Sequence, residues 1–267
     1  MAALRPPRAG LGLLRGLCSG AALGPMDRRE TWDRFYARRD GATTHFDWFF
    51  SYEAVSGLLL RALETPSPAL APIRVLDVGC GTSDLGLGLY RDCPCPVHVC
   101  CVDRSPVAIG ALRQLLRAAP PPQHPLSQLR LGIADGTALG ATRGGRAGSI
   151  FHLVLDKGTC DALLRCPRGP GRAERLLGEC LRVLRPGGCL LQFSDEDPDA
   201  RIPFLEWAGG AGSVTVQEVG GHYYAYALRK PGSEGPAAEA PGVQGPCLEQ
   251  PGDEGGGAGP AAPRWSC

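Results

Sequence analysis

Val75-Leu76-Asp77-Val78-Gly79-Cys80-Gly81-Thr82-Ser83-Asp84 is a β-branched apolar run that ends in a Gly-x-Gly turn. Ile73–Val78 predicts a short buried strand, and Ser83–Arg91 a helix whose apolar positions are Leu85, Leu87 and Leu89. Strand, glycine turn and helix in that order open a βαβ unit. A glycine turn by itself does not say which ligand it cradles. In the dinucleotide pattern GxGxxG the third glycine falls at position 84, where this chain has Asp84. A carboxylate there opposes a pyrophosphate on the helix N-terminus. Asp77 adds a second negative charge at the strand end. The pair disfavours a phosphate and suits a ligand carrying an ammonium group.

Moving outward, the same alternation repeats. Strands are predicted at Val97–Val102, Gln128–Ile133, Ser149–Leu155 and Cys189–Ser194. Helices are predicted from the Ser105-Pro106 cap to Ala118, and over Gly171–Leu184 before Pro186-Gly187-Gly188. The stretch after the fourth strand reads as irregular. A short helix from Pro198 and two late strands, Ser213–Val219 and His222–Arg229, complete the pattern, with Gly220-Gly221 as a hairpin signal. Upstream, residues 27–40 predict a helix with Trp32, Phe35 and Tyr36 on one stripe, and a second helix follows the aromatic stretch Phe46–Tyr52 as far as about Glu64. The expected fold is α/β: a Rossmann-like seven-stranded sheet, mostly parallel, with a C-terminal antiparallel hairpin and helices on both faces.

The chain has 267 residues, 43% of them apolar, and a net charge of +1, which supports a sizeable core and argues against a broad nucleic-acid or anionic-membrane surface. No run of apolar residues is long enough to span a bilayer. Residues 1–26 carry Arg5, Arg8 and Arg15 without an acid, the pattern of a mitochondrial transit peptide. Residues 231–267 are rich in Gly and Pro and hold one base, Arg264, against Glu234, Glu239, Glu249, Asp253 and Glu254, which predicts a disordered tail. The domain between them spans 27–230, its N-terminal helices expected to cover the binding crevice. The 12 cysteines show no CxxC spacing, and runs such as Val99-Cys100-Cys101-Val102 use them as small hydrophobes, so no metal site is expected.

Asp77, Asp103 and Asp135 fall at the C-terminal ends of three consecutive predicted strands, where open α/β sheets bind ligands. S-adenosyl-L-methionine matches them: Asp77 and the Gly79-Cys80-Gly81 turn for its methionyl end, Asp103 and Arg104 for the ribose side, Asp135 and Gly136 for the adenine. Helix capping is the competing role for each carboxylate. These residues resemble the class I S-adenosylmethionine-dependent methyltransferases over roughly residues 46–230, with Ser83 where the motif usually ends in glycine. Trp32-Asp33-Arg34-Phe35-Tyr36, Phe46–Tyr52 and Leu155-Asp156-Lys157-Gly158-Thr159-Cys160-Asp161 look like the seven-β-strand protein-lysine methyltransferases. With Gln192-Phe193-Ser194-Asp195-Glu196-Asp197-Pro198 and the arginine-bearing leader, the resemblance implies a lysine of citrate synthase in the mitochondrial matrix as methyl acceptor. The alternatives are another, elongation-factor-like protein or a small molecule as acceptor, and a non-catalytic scaffold of the same fold. Within that reading, Asp156 is the candidate catalytic residue that places the incoming amine. Lys157, one of two lysines among 28 basic residues, is expected to bind substrate or neutralise Asp156 or Asp161. Trp48, Phe49 and Tyr52 are expected to wall a lysine channel by cation–π contact.

Overall fold

The computed structural model describes residues 24–38, 46–63, 71–141, 149–210 and 213–232. Most of the expected leader, and all of the expected tail beyond Gly232, lie outside the described residues. In chain order the helices are α1 Arg29–Ala37, α2 Tyr52–Leu63, α3 Leu85–Asp92, α4 Pro106–Ala118, α5 Thr159–Leu164, α6 Gly169–Val183 and α7 Pro198–Gly209. The strands are β1 Ile73–Val78, β2 Val97–Asp103, β3 Gln128–Ile133, β4 Phe151–Lys157, β5 Leu184–Ser194, β6 Val214–Val219 and β7 Tyr223–Arg229.

All seven strands join one sheet in the order β3-β2-β1-β4-β5-β7-β6. Ladders among β1 to β5 are parallel, and β7 runs antiparallel to both β5 and β6. The hairpin turns at Gly220-Gly221-His222, with φ of 63° and 79° at the two glycines, a region closed to most side chains. The chain leaves β1 toward β3 on one side and then returns to β4 on the other. That reversal opens a crevice at the carboxyl ends of β1 and β4.

Strand period sorts the core into two layers. Ile73 and Val75 of β1 pack with Leu59, Leu85, Leu89, Ile109 and Leu112, from α2, α3 and α4. Leu76 and Val78 face the other way, onto Leu176, Leu177, Cys180 and Val183 of α6 and Leu205 of α7. From Val75 on, β1 is buried on both faces, as central parallel strands are, with Asp77 its one buried polar residue and Arg74 exposed near its start.

Three elements differ from the sequence reading. The irregular stretch after β4 contains α5, whose first amides are bound by the Asp156 carboxylate (Thr159 N–H to Oδ1, 3.0 Å). The fifth strand begins at Leu184 rather than Cys189, and Pro186-Gly187-Gly188 lies inside it. Leu184 pairs with Phe151, the register shifts before Cys189 pairs with Leu153, and φ is 74° at Gly187. Lys230 takes the freed carbonyls at the end of α6, its Nζ donating to Leu181 (2.8 Å) and Leu184 (2.7 Å). The helix from Pro198 is also longer than expected, at 12 residues.

Candidate active site

A cleft of about 830 Å³, open to solvent, lies at the crevice predicted by the strand order. Asp77, Gly79, Cys80 and Gly81 floor it from the end of β1. Asp103 and Arg104 enter from β2, Asp135 and Gly136 from the end of β3, and Lys157 and Trp48 complete the wall. The structure therefore brings together every residue expected to hold the cofactor. Thr82 and Ser83 line it as well.

Gly79 and Gly81 adopt φ of 66° and 53°. A Cβ on Gly81 would lie 2.4 Å from the Tyr36 hydroxyl, and one on Gly79 2.0 Å from Thr159 Oγ1. These glycines thus serve two needs: a left-handed backbone and close approach of α1 and α5 to the turn. Asp103 braces the turn. Its Oδ2 accepts from Gly81 N–H (2.9 Å) and its Oδ1 from Ser105 N–H (2.7 Å). Each carboxylate oxygen keeps further acceptor capacity.

Asp77 is 2% exposed, and its Oδ2 has no hydrogen-bond partner among the described residues. Burial pushes its pKa up to about 7, opposed by the Lys157 ammonium and the Gly86 amide. Asp77 lines the cleft, while its unpartnered Oδ2 lies toward α3, where a Cβ on Gly86 would stand 3.1 Å from it. Asp103 is likewise shifted up by burial, against the amides of Ser105 and Gly81. Asp135 differs. It is more exposed, accepts from Thr137 N–H (2.9 Å) and Oγ1 (2.7 Å), and lies 3.5 Å from Arg172 Nη2. Burial alone would raise its pKa, but the Thr137 bonds and the Arg104 and Arg172 charges leave it lowered.

Four expectations are corrected. Asp156 does not line the cleft. It is 1% exposed, and Oδ2 accepts from Gln192 Nε2 (2.8 Å) while Oδ1 accepts from Thr159 N–H. It braces the start of α5, outside the cleft lining. Lys157 neutralises neither Asp156 nor Asp161. Its Nζ, 5.4 Å above the Phe50 ring, donates to Asp47 Oδ1 (2.6 Å) and to the Phe50 carbonyl (2.8 Å). Asp161 pairs instead with Arg201 (2.6 Å). Phe49 and Tyr52 lie off the cleft: Phe49 packs on Tyr223 with ring centroids 5.0 Å apart, and Tyr52 is in the α2–α3 core. Finally, Asp84 does not face the ligand crevice. Its Oδ1 accepts from Tyr52 N–H (2.7 Å) at the start of α2, so Asp77 alone supplies the charge argument at this turn.

Met26, Tyr36, Phe46 and Arg172 also line the cleft, a role the sequence alone did not assign them. The aromatic stripe on α1 was the available signal. Trp32, Phe35 and Tyr36 pack with Phe46 and Trp48, and Trp32, Tyr36, Phe46 and Trp48 reach the cleft.

A family model described as a methyltransferase domain matches residues 75–188. The citrate synthase-lysine N-methyltransferase of Homo sapiens is 47% identical over 243 residues, covering 86% of this chain and 99% of that protein. The Danio rerio protein of the same name is 41% identical, covering 73% of this chain and 79% of its own length. Among solved structures, the [4+2]-cyclase SpnF superposes with a TM-score of 0.54 at 15% identity, over 78% of this chain and 97% of that one, a likeness of fold alone. The glycine turn, the acids at three strand ends and the extent of the likeness converge: this chain belongs to the S-adenosylmethionine-dependent protein-lysine methyltransferases, in the family whose Homo sapiens and Danio rerio members are named citrate synthase-lysine N-methyltransferase.

Proposed function

We propose that the methyl acceptor is a lysine of citrate synthase and that the enzyme works in the mitochondrial matrix. The observation that carries this reading is the 47% identity to the Homo sapiens relative over nearly that protein's whole length. The acid-free, arginine-bearing residues 1–26 support the compartment.

When bound, S-adenosylmethionine supplies an electrophilic methyl group. In our reading Asp77 takes its ammonium, Asp103 its ribose hydroxyls, and Asp135 with Gly136 its adenine. The acceptor amine must arrive neutral, although a free lysine has a pKa of roughly 10.4. Desolvation against Trp48 and Phe46 lowers that value. The protein's contribution is then alignment and exclusion of water, which can supply much of the acceleration without a general base.

Incubating recombinant enzyme and citrate synthase with methyl-labelled cofactor, followed by peptide mass spectrometry, tests the assignment. One labelled lysine-bearing peptide of citrate synthase is expected. Label in other proteins of a mitochondrial extract, with citrate synthase unmodified, would overturn it. N-terminal sequencing of enzyme purified from mitochondria tests the leader, and a chain still beginning at Met1 would rule cleavage out.

A further inference from the structure

The segment just before α1 is held by more charge than a connecting turn requires. Arg104, after β2, and Arg172, on α6, both donate to a single main-chain oxygen, the Asp27 carbonyl, at 2.7 and 2.5 Å. The preceding carbonyl, of Met26, accepts from Trp32 Nε1 at 2.7 Å. Met26 itself is 4% exposed and packs with Ala162, Cys166 and Trp32. Farther along α1, Asp33 Oδ1 accepts from Ser105 Oγ at 2.5 Å, the hydroxyl that also caps α4. Met26, Trp32 and Tyr36 line the cleft, as do both arginines. Arg104 Nε is buried without a hydrogen-bond partner among the described residues.

We propose that Met26–Tyr36 is a clamp over the bound cofactor, and that Arg172 is the positioning residue that keeps it shut. The proposal rests on the cleft being the S-adenosylmethionine site. Opening the clamp frees one carbonyl from two guanidinium donors at once, and hydrogen bonds to charged groups are the strong ones. Arg172 also lies 3.5 Å from Asp135 Oδ2, so it ties the clamp to the end of β3. The hold falls on cofactor exchange rather than on the methyl-transfer step.

The test uses the full-length protein with S-adenosylhomocysteine as probe, its release followed by stopped flow and its affinity by calorimetry. Arg172→Met is expected to speed release by about tenfold or more, the size of one charge-assisted hydrogen bond. Arg172→Lys, which keeps one charged donor, should recover part of the loss. Asp33→Ala lies off the cleft wall and frees α1 from Ser105, so it should also speed release. Arg29→Ala, which removes only an exposed pair on α1 (3.1 Å to Asp33), should leave release within about twofold of the parent. Thermal midpoints of all four variants separate a loosened clamp from a loosened fold. Release from Arg172→Met and Asp33→Ala at the parent rate would overturn the clamp. Failure of the parent protein to bind the probe would instead overturn the cofactor site.

Discussion

Asp77 and Asp156 are both buried carboxylates at the ends of adjacent strands, yet their surroundings assign them opposite work. Asp77, raised to about 7 by burial, lines the cleft and has one oxygen without a hydrogen-bond partner among the described residues. An acid whose pKa is higher in the fold than in the unfolded chain holds its proton longer, so its contribution lowers stability as pH rises from about 4 to about 7. Asp156, pushed up to about 6 by burial and by Asp161, has the same sign. A ligand ammonium reverses the preference at Asp77, because it requires the carboxylate. S-adenosylhomocysteine affinity should therefore fall about tenfold between pH 8 and pH 6, with proton release on binding, and Asp77→Asn should weaken binding and flatten the profile. Calorimetry in buffers of different ionisation enthalpy measures both, and a pH-independent affinity would count against the ammonium seat. Asp156→Asn should leave affinity intact. It sets an amide against Gln192 Nε2 while the Gln192 carbonyl is held by Arg201 (3.1 Å), a loss of about 1–3 kcal/mol readable by urea unfolding.

Helix α3 owes its place to two glycines inside it. A Cβ on Gly86 would lie 2.4 Å from Cys101 Sγ, and one on Gly88 2.2 Å from the Tyr52 ring. Their helix-propensity cost of about 1 kcal/mol each is outweighed by the close packing of α3 on β2 and α2 that a bare backbone permits. Gly88→Ala is thus expected to destabilise by about 1–3 kcal/mol despite alanine's better propensity, because Tyr52 must move. A rise in the urea midpoint would show that Tyr52 relaxes freely. Helix α7 shows the converse, a polar side chain doing the packing. Arg201 is 1% exposed and donates to Asp161, Ser194, Gln192 and Cys160, joining α7 to β5 and α5. Arg201→Met leaves Asp161 buried without its partner and should cost about 3–5 kcal/mol. Denaturant unfolding measures that loss, and a cost below about 1 kcal/mol would show that Asp161 takes up a proton instead.

At the scale of the molecule, the cleft is lined by residues on both sides of the expected leader boundary, Met26 before it and Trp32 and Tyr36 after it. Met26 and Asp27 belong to the clamp, so processing that yields active enzyme is expected to cut before Met26. N-terminal sequencing of active enzyme that started after Asp27 would contradict this. The strand alternation, the glycine turn at Gly79 and Gly81, and the acids Asp77, Asp103 and Asp135 were legible along the chain, because period, turn chemistry and strand-end position are local properties. The roles of Asp156, Lys157, Asp84 and Tyr52 were not. Each sits beside a motif, but its partner lies far away: Gln192 for Asp156, Asp47 for Lys157, the start of α2 for Asp84 and Gly88 for Tyr52. Arg172 and Met26 carried no local signal at all, since only the folding of α1 and α6 against the sheet brings Arg172 to the Asp27 carbonyl and both residues to one cleft. Sequence by itself determined the sheet, the turn and the charge offered to the cofactor. Tertiary structure alone decided which buried charges are already paired, because pairing depends on distances between residues that the chain keeps far apart.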